Sequence, residues 1–303
     1  MNQPLVSVAL CTYNGAEFVA EQIETILKQT YSNLEVIIVD DCSTDETAKI
    51  IQAYAEKDNR IQFFENTSNL GHNLNFDKAC GLCTGELVAI ADQDDVWVPE
   101  KIEIMVKRLL DNPENILVHC ISSRFKGEGK PSKRSIKLVN YYTECNPGMF
   151  FLYNPVNGHN MLFKHELLRD ALPFPEDVYY DWWLAVHATC SGNIDHEDSI
   201  LVWHRVHETN ASGAARPRNP FYLQTISNLT YFKAIDKMPA AYRKIADEMI
   251  ALFGPLSQKK FSFPVFFYIF KHSKTFFAFK KRKFPFFSNV KHSFRAALAS
   301  TRT

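Results

Sequence analysis

The chain has 303 residues, enough for one large domain or two small ones. Its 34 basic and 34 acidic side chains cancel to a net charge of zero, which excludes nucleic-acid recognition through a globally basic surface. A hydrophobic content of 46% excludes intrinsic disorder, and seven scattered cysteines favour a reducing cytoplasm over a disulfide framework.

The first 120 residues alternate between strand and helix patterns. Mostly apolar runs predict five strands, at Leu5–Cys11, Glu35–Asp40, Arg60–Glu65, Glu86–Ala91 and Ile116–Ile121. Helices are predicted between them, at Ala16–Gln29, from a capping box at Ser43–Glu46 to Lys57, at Asn73–Cys83, and from Pro99 through Lys101–Leu110. This alternation predicts an α/β fold whose Rossmann-like sheet is mostly parallel.

After residue 121 the pattern is weaker. Gly127–Pro131 is typical of a loop, residues 159–213 mix short strands and helices, and residues 220–250 predict helices. Residues 251–303 differ in kind, because they contain no Asp or Glu but eleven Lys and Arg residues and 13 of the 24 phenylalanines. We therefore expect a basic and aromatic C-terminal tail.

Polar residues follow three of the predicted strands, at Cys11–Gly15, at Asp40-Asp41 and at Asp92–Asp95. Parallel strands bring these ends to one edge of the sheet, where ligands of α/β proteins bind. Three carboxylates in four positions repel one another, and a cation would relieve that repulsion. Their hard oxygen atoms suit Mg²⁺ or Mn²⁺. The alternative is a solvated acidic turn in which Asp95 caps a helix.

Several familiar sites are excluded by their spacing. The chain lacks G-x-G-x-x-G after the first strand and lacks a P-loop, and its acidic loop lacks the glycine and distant glutamate of an EF-hand. Cys80 and Cys83 form one isolated C-x-x-C, which favours two thiols on a helix over a metal site. An aspartyl nucleophile at Asp92, as in a phosphotransferase or phosphatase, stays open as an alternative, although such loops normally follow the first strand.

Taken together, residues 6–15, 36–45 and 91–97 resemble a family 2 glycosyltransferase of the GT-A fold, in order and in spacing. The resemblance covers residues 5–110 well and extends loosely to 213. It implies a nucleotide-sugar-binding half at 1–120, an acceptor and catalytic half at 121–215, and a helical C-terminal region at 216–303.

The resemblance assigns the donor side. It implies nucleotide contacts from the first three segments, with Tyr13 stacking on the base and Asp41, or its neighbour Asp40, accepting from the base. The implied nucleotide-binding residues are Thr12, Tyr13, Asn14, Asp40, Asp41, Asp92 and Gln93. Asp92-Gln93-Asp94 stands at the D-x-D position, which implies metal binding by Asp94 with Asp92.

An inverting transfer needs a carboxylate that takes the proton of the acceptor hydroxyl. Asp181, among Tyr179, Tyr180 and two tryptophans, lies where the resemblance places that base. Trp182 and Trp183 offer faces for sugar stacking. The alternative is a helix start with Asp181 as cap and the aromatic residues as core. Glu176 and Asp177 compete for the catalytic role.

A third cluster runs from Val202 to Gly213 and is rich in imidazoles. The resemblance favours His207 over His204 as a metal ligand and implies that Arg205 contacts phosphate; the alternative is a basic surface loop. The loop Gly158-His159-Asn160 resembles a segment on the sugar and acceptor side.

The resemblance is strongest to bacterial rhamnosyltransferase-type members that build surface polysaccharide, which implies a dTDP-rhamnose donor and a glycan or lipid-linked acceptor. No apolar run reaches the ~18 residues of a membrane span, and the N-terminus lacks a secretory signal pattern. Basic and aromatic residues at 255–295 favour peripheral attachment to the inner face of the plasma membrane. The alternatives are a tail packed on the catalytic domain or on a second copy in a homodimer, or a non-catalytic membrane-bound scaffold.

Overall fold

A computed structural model describes residues 3–126, 145–207, 220–256, 261–278 and 284–299. The predicted loop at Gly127–Pro131, the end of the third cluster at 208–213 and the basic run Lys280–Lys283 lie outside the described residues.

One curled sheet of eight strands organises the protein, in the order β3-β2-β1-β4-β7-β6-β8-β5. The strands are β1 (Val6–Thr12), β2 (Leu34–Asp40), β3 (Ile61–Glu65), β4 (Leu87–Asp92), β5 (Val96–Trp97), β6 (Asn115–Phe125), β7 (Met161–Lys164) and β8 (Asn193–Arg205). Pairings among β1, β2, β3 and β4 are parallel, as is β6 with β8, whereas β7 runs antiparallel between β4 and β6. The predicted α/β, mostly parallel GT-A-type architecture is confirmed.

Eleven helices surround this sheet among the described residues. They are α1 (Val19–Leu27), α2 (Thr47–Ala55), α3 (His72–Leu82), α4 (Lys101–Leu110), α5 (Glu166–Ala171), α6 (Tyr180–Ser191), α7 (Phe221–Lys233), α8 (Ala240–Phe253), α9 (Phe263–Lys271), α10 (Ser273–Phe276) and α11 (Pro285–Ala299). Short 3₁₀ turns occupy Pro147–Phe150 and Gly158–Asn160.

Three local predictions were wrong. Ser43 does not cap α2, because its hydroxyl donates to Asp40 and the N–H of Thr47 is bonded instead by Asp45 at 3.0 Å. Pro99 lies in the turn before α4, which begins at Lys101. The strands after residue 115 are longer than predicted, because β6 and β8 pair with each other over most of their length.

Burial explains why the central strands are so apolar. All seven residues of β2 are buried, as expected for a strand covered on both faces. The side chains of β1 and β2 alternate between two hydrophobic clusters, one containing Ala9 and Ile37 and the other containing Leu10 and Ile38. This packing holds the carboxyl ends of β1, β2 and β4 rigidly side by side.

The C-terminal tail packs on the body through one face. Val265 and Ile269 of α9 and Phe276 of α10 are fully buried in the same cluster as residues of α6 and α7. Ser262 caps α9 by accepting from the N–H of Val265, and Pro264 follows in the first turn. No helix within the described ranges is both long enough and apolar enough to cross a bilayer.

Candidate active site

The site lies at the carboxyl edge of the parallel strands. In the register of the sheet, Thr12 pairs with Asp40 across β1 and β2, and Cys11 pairs with Asp92 across β1 and β4. The Thr12 hydroxyl donates to Asp40 Oδ1 at 2.7 Å. The strand-end segments that the sequence singled out are therefore brought together.

The two acidic residues at the end of β2, Asp40 and Asp41, are buried and hydrogen-bonded by the chain itself. Asp40 accepts from the N–H and the hydroxyl of Ser43 at 2.7 and 2.6 Å. Asp41 accepts from the backbone N–H groups of Leu70 and Gly71 at 2.7 and 2.8 Å, and from Asn66 at 2.8 Å. Sequence reasoning did not find these contacts, which give both carboxylates a part in shaping the loops at the sheet edge.

Tyr13 and Gln93 join the first and third strand-end segments. The Tyr13 ring is 48% exposed, so one aromatic face is available to a ligand. The Gln93 amide binds both backbone groups of Tyr13, accepting from its N–H at 2.8 Å and donating to its carbonyl at 3.1 Å. A Cβ at Gly15 would lie 2.2 Å from Gln93 Oε1, so glycine leaves room for the Gln93 amide in this position. Asn14 adopts a φ of 46° and accepts from the N–H of Thr44.

Each carboxylate of the Asp92–Asp95 loop is paired with its own imidazole. The pairs are Asp92 Oδ2 with His159 Nδ1 at 3.2 Å, Asp94 Oδ2 with His207 Nε2 at 2.7 Å, and Asp95 Oδ1 with His204 Nδ1 at 3.0 Å. The predicted acidic loop and the predicted histidine cluster therefore form one site.

A candidate metal centre lies within this set. Among the described residues, one group of three has ligand atoms within 4.8 Å of one another, and it consists of Asp95, His159 and His204. Asp95 is 1% exposed, and its Oδ2 atom accepts no hydrogen bond. A buried carboxylate oxygen beside two imidazoles suits a divalent ion that takes both oxygen and nitrogen ligands. This group differs from the predicted set of Asp92, Asp94 and His207.

The loop carboxylates differ in their electrostatics. Burial raises the pKa of Asp94, and the charges of Asp92 and Asp95 raise it further against the opposing effect of His207. Burial also tends to raise the pKa of Asp92, but the hydrogen bond and the charge of His159 outweigh this effect, so that the pKa of Asp92 is lowered. A cation bound at the loop would offset this repulsion.

Asp181 lies in the first turn of α6 and faces the turn at Gly158–Asn160. Its carboxylate accepts from the backbone N–H of Trp182 through Oδ1 at 2.7 Å, and the nearby backbone N–H of Gly158 acts to lower its pKa. Burial is the largest influence and raises the pKa of Asp181 to about 6. The competing residues Glu176 and Asp177 are exposed and precede α6.

The two tryptophans after Asp181 are tied into the protein. Trp182 Nε1 donates to the Phe150 carbonyl at 2.7 Å, and Trp183 Nε1 donates to the Ala171 carbonyl at 2.8 Å. Both rings pack near Phe232, at centroid distances of 6.2 and 6.4 Å. These contacts favour the core alternative over sugar stacking.

The remaining predicted residues are buried near the loop. His159 is 7% and Asn160 is 6% exposed, and both contact the Ser122 hydroxyl. Arg205 is 8% exposed, donates from Nε to the Asp94 carbonyl at 3.2 Å and forms an ion pair with Glu21. These contacts place Arg205 behind the Asp92–Asp95 loop.

Comparison with known proteins identifies the family. The model of glycosyl transferase family 2 matches residues 7–172, which is more than half of the chain. The chain belongs to this family. It is 30% identical over 252 residues to an uncharacterised glycosyltransferase of Haemophilus influenzae, covering 76% of this chain and 75% of that relative.

Two solved structures share the fold. S. aureus TarS 1–349, crystallised with UDP-GlcNAc, superposes with a TM-score of 0.64 at 18% identity over 98% of this chain and 82% of TarS. The mannosyltransferase PcManGT from Pyrobaculum calidifontis, solved with GDP-Man and Mn²⁺, gives a TM-score of 0.57 at 20% identity over 99% of this chain and 86% of that one. The family 2 prediction is thereby confirmed, whereas the rhamnosyltransferase-type subclass stays a prediction.

Proposed function

We propose that this protein is a metal-dependent inverting glycosyltransferase that moves a sugar from a nucleotide-diphosphate donor to an acceptor hydroxyl. One observation carries the proposal: the turn Gly158–Asn160 contacts both the D-x-D loop and the candidate base. His159 bonds Asp92 at 3.2 Å, and the backbone N–H of the neighbouring Gly158 lies close enough to Asp181 to act on its pKa. Asp92 on the donor side and the candidate base Asp181 thus lie beside the same turn. This arrangement fits a reaction in which donor and acceptor meet between the two aspartates.

On the donor side, the strand-end segments bind the nucleotide. The exposed ring of Tyr13 stacks on the base, and residues Thr12, Asn14, Asp40, Asp41, Asp92 and Gln93 line the same edge. Two fold neighbours were solved with UDP-GlcNAc and with GDP-Man, which supports a nucleotide-sugar donor. The resemblance of residues 91–97 to rhamnosyltransferase-type members makes dTDP-rhamnose our proposed donor.

The metal is Mn²⁺ or Mg²⁺. The Oδ2 atom of buried Asp95, which accepts no hydrogen bond, and the Mn²⁺ in the Pyrobaculum structure support the assignment. Asp92, Asp94 and His207 are the predicted ligands, and Asp95, His159 and His204 are the group whose ligand atoms already lie close together. An ion held there would neutralise charge on the diphosphate and so improve the leaving nucleotide.

Asp181 acts as the general base. A carboxylate with a pKa of about 6 is largely ionised at neutral pH, yet it is more basic than an ordinary aspartate. It takes the proton of the acceptor hydroxyl as that oxygen attacks the anomeric carbon. The bond from this carbon to the diphosphate breaks on the opposite face, and the configuration at the carbon inverts.

The acceptor is a glycan or a lipid-linked oligosaccharide in surface polysaccharide synthesis, reached at the inner face of the plasma membrane.

The tail helices carry four phenylalanines that are 62–71% exposed, namely Phe263 and Phe267 on α9 and Phe286 and Phe287 on α11. The ring of Phe286 lies 5.9 Å from that of Phe270, so the two helices form one aromatic surface. Exposed residues Lys271, Lys274, Lys291 and Arg295 add positive charge to these helices and the short α10 between them. Such a surface fits an anionic bilayer.

A nucleotide screen tests the catalytic part of the proposal. We expect dTDP or another nucleoside diphosphate to raise the melting temperature with Mn²⁺, and to raise it far less with EDTA. The matching nucleotide sugar should then be turned over, and the anomeric configuration of the product, determined by NMR, should be inverted. If no nucleoside diphosphate stabilises the protein, or if the product retains configuration, the proposal is wrong.

Liposome flotation tests the membrane part. The double variant Phe263→Ser/Phe267→Ser should lose flotation with vesicles rich in phosphatidylglycerol, whereas Leu223→Ser should not, since Leu223 is an exposed residue of α7 outside the tail. Equal flotation of all three proteins contradicts membrane attachment. A concentration-dependent dimer that the same double variant dissolves would instead identify a homodimer interface.

A further inference from the structure

A buried lysine lies directly behind the candidate site. Lys101, the first residue of α4, is 0% exposed. Its ammonium group donates to the backbone carbonyl of His159 at 2.9 Å and lies 3.2 Å from the centroid of the Trp97 ring. An ammonium group is costly to bury unless it is paired, so its position calls for an explanation.

The residue that Lys101 contacts belongs to the turn that joins the two halves of the site. Within Gly158–Asn160, the ring of His159 bonds Asp92, and the backbone N–H of Gly158 lies near Asp181 and acts to lower its pKa. Lys101 therefore donates to the backbone carbonyl of His159, the residue whose ring bonds Asp92 and which directly follows Gly158.

The turn is enclosed on its other sides as well. The Ser122 hydroxyl of β6 lies 3.1 Å from His159 Nε2, and a Cβ at Gly158 would lie 2.0 Å from the Tyr180 hydroxyl oxygen. In addition to these contacts with Ser122 and Tyr180, the turn is bonded by the Lys101 ammonium group at the His159 carbonyl. The charges of Asp92 and Asp95 act on Lys101 in the direction that favours its charged form, although burial still lowers its pKa to about 7.

We propose that Lys101 is a positioning residue: its hydrogen bond to the His159 carbonyl fixes the Gly158–Asn160 turn and thereby aligns Asp92 with Asp181. The lysine touches neither donor nor acceptor in this assignment. Its effect on turnover rests on the proposed function, whereas its effect on the turn does not.

The variant Lys101→Met removes the charge and the hydrogen bond but keeps an unbranched side chain of similar length. The matched control is Met105→Ala, which truncates a fully buried residue one turn further along α4. Hydrogen exchange followed by mass spectrometry reports on the turn without any need for activity. In Lys101→Met we expect peptides covering 158–160 to exchange at least about 10-fold faster. In the Met105→Ala control the exchange of these peptides should change no more than the loss of global stability accounts for.

Kinetics supply the second measurement. With the donor identified in the nucleotide screen, kcat of Lys101→Met should fall about 30-fold more than kcat of Met105→Ala, because misplacing a catalytic group by a fraction of an ångström is that costly. If Lys101→Met does not fold, Lys101→Gln, which keeps an N–H donor, is measured in the same way, and an intermediate exchange rate is expected. If the turn exchanges no faster in Lys101→Met than in the Met105→Ala control, the proposal is wrong. If the wild-type protein shows no turnover while Lys101→Met shows the expected faster exchange, the proposed function is refuted. The role of Lys101 in the turn then stands.

Discussion

Asp92 and Asp181 lie beside two consecutive residues of a single turn. The ring of His159 contacts Asp92, and the backbone N–H of Gly158 contacts Asp181. The two aspartates are 89 positions apart in the chain and belong to β4 and α6. Movement of this turn would therefore displace Asp92 on the donor side and the candidate base Asp181 together. A substitution that moves the turn tests the roles of both aspartates.

Replacing the proposed base should abolish transfer and leave donor binding intact. Asp181→Asn keeps the shape of the side chain but cannot accept a proton from the acceptor, so kcat should fall by about 10³-fold. The rise in melting temperature caused by nucleoside diphosphate and Mn²⁺ should stay within error of the wild type. Asp177→Asn, at an exposed neighbouring carboxylate, is the control and should keep nearly full activity. Loss of donor binding in Asp181→Asn would show that this residue has a structural role.

The pH dependence of turnover should report the same carboxylate. Because the base must be ionised, kcat/KM should fall as pH drops through about 6, the pKa that burial gives Asp181. The residual activity of Asp181→Asn should lack this acid limb. An unchanged acid limb in the variant would assign the titration to another group.

Protein stability should show the opposite dependence on pH. The pKa of Asp181 is higher in the folded protein than the ordinary value near 3.9, so the folded state prefers the protonated form. Stability from this group is therefore fully present below about pH 4 and is lost as pH rises through 6. Asp181→Asn should gain about 1–2 kcal/mol relative to the wild type at pH 7 and gain little at pH 4, as measured by urea unfolding. Equal differences at both pH values would contradict the raised pKa.

Metal binding should depend on the buried carboxylate that sequence reasoning did not select. Asp95→Asn should weaken Mn²⁺ binding at least about 10-fold, measured by electron paramagnetic resonance titration, because it removes a carboxylate charge beside His159 and His204. Asp94→Asn is measured alongside it, since Asp94 is the ligand that the D-x-D position implies. Asp111→Asn, at an exposed residue following α4, is the control. Unchanged affinity in Asp95→Asn would leave Asp94 and His207 as the ligands.

The sequence predicted the strands of the first 120 residues well and the contacts between distant segments poorly. Strand ends such as Asp40 and Asp92 could be placed because an apolar run followed by polar residues is a local pattern. The approach of His204 to Asp95 could not be predicted, because it depends on the antiparallel pairing of β5 with β8, in which Val96 faces Trp203. No local pattern encodes that register.

Lys101 illustrates the same limit. At the start of a predicted helix, a lysine is expected to be solvated, and the sequence offered no reason to bury it. Its burial follows from the position of Trp97 on β5 and of the His159 carbonyl on a turn 58 residues away. These are tertiary contacts, which a single sequence does not reveal.

Gly158 provides the most sensitive probe of the turn. A Cβ at this position would lie 2.0 Å from the hydroxyl oxygen and 2.7 Å from the ring of Tyr180, which is 3% exposed and has little room to move. Gly158→Ala should therefore displace the turn and lower kcat by about 10²-fold, since Asp92 and Asp181 would both lose their alignment. Gly81→Ala on α3 is the matched control, because its nearest neighbouring atom would be 4.0 Å away. That substitution should stabilise the helix by roughly 0.5–1 kcal/mol and leave kcat unchanged. Full activity in Gly158→Ala would mean that the turn does not align the two aspartates.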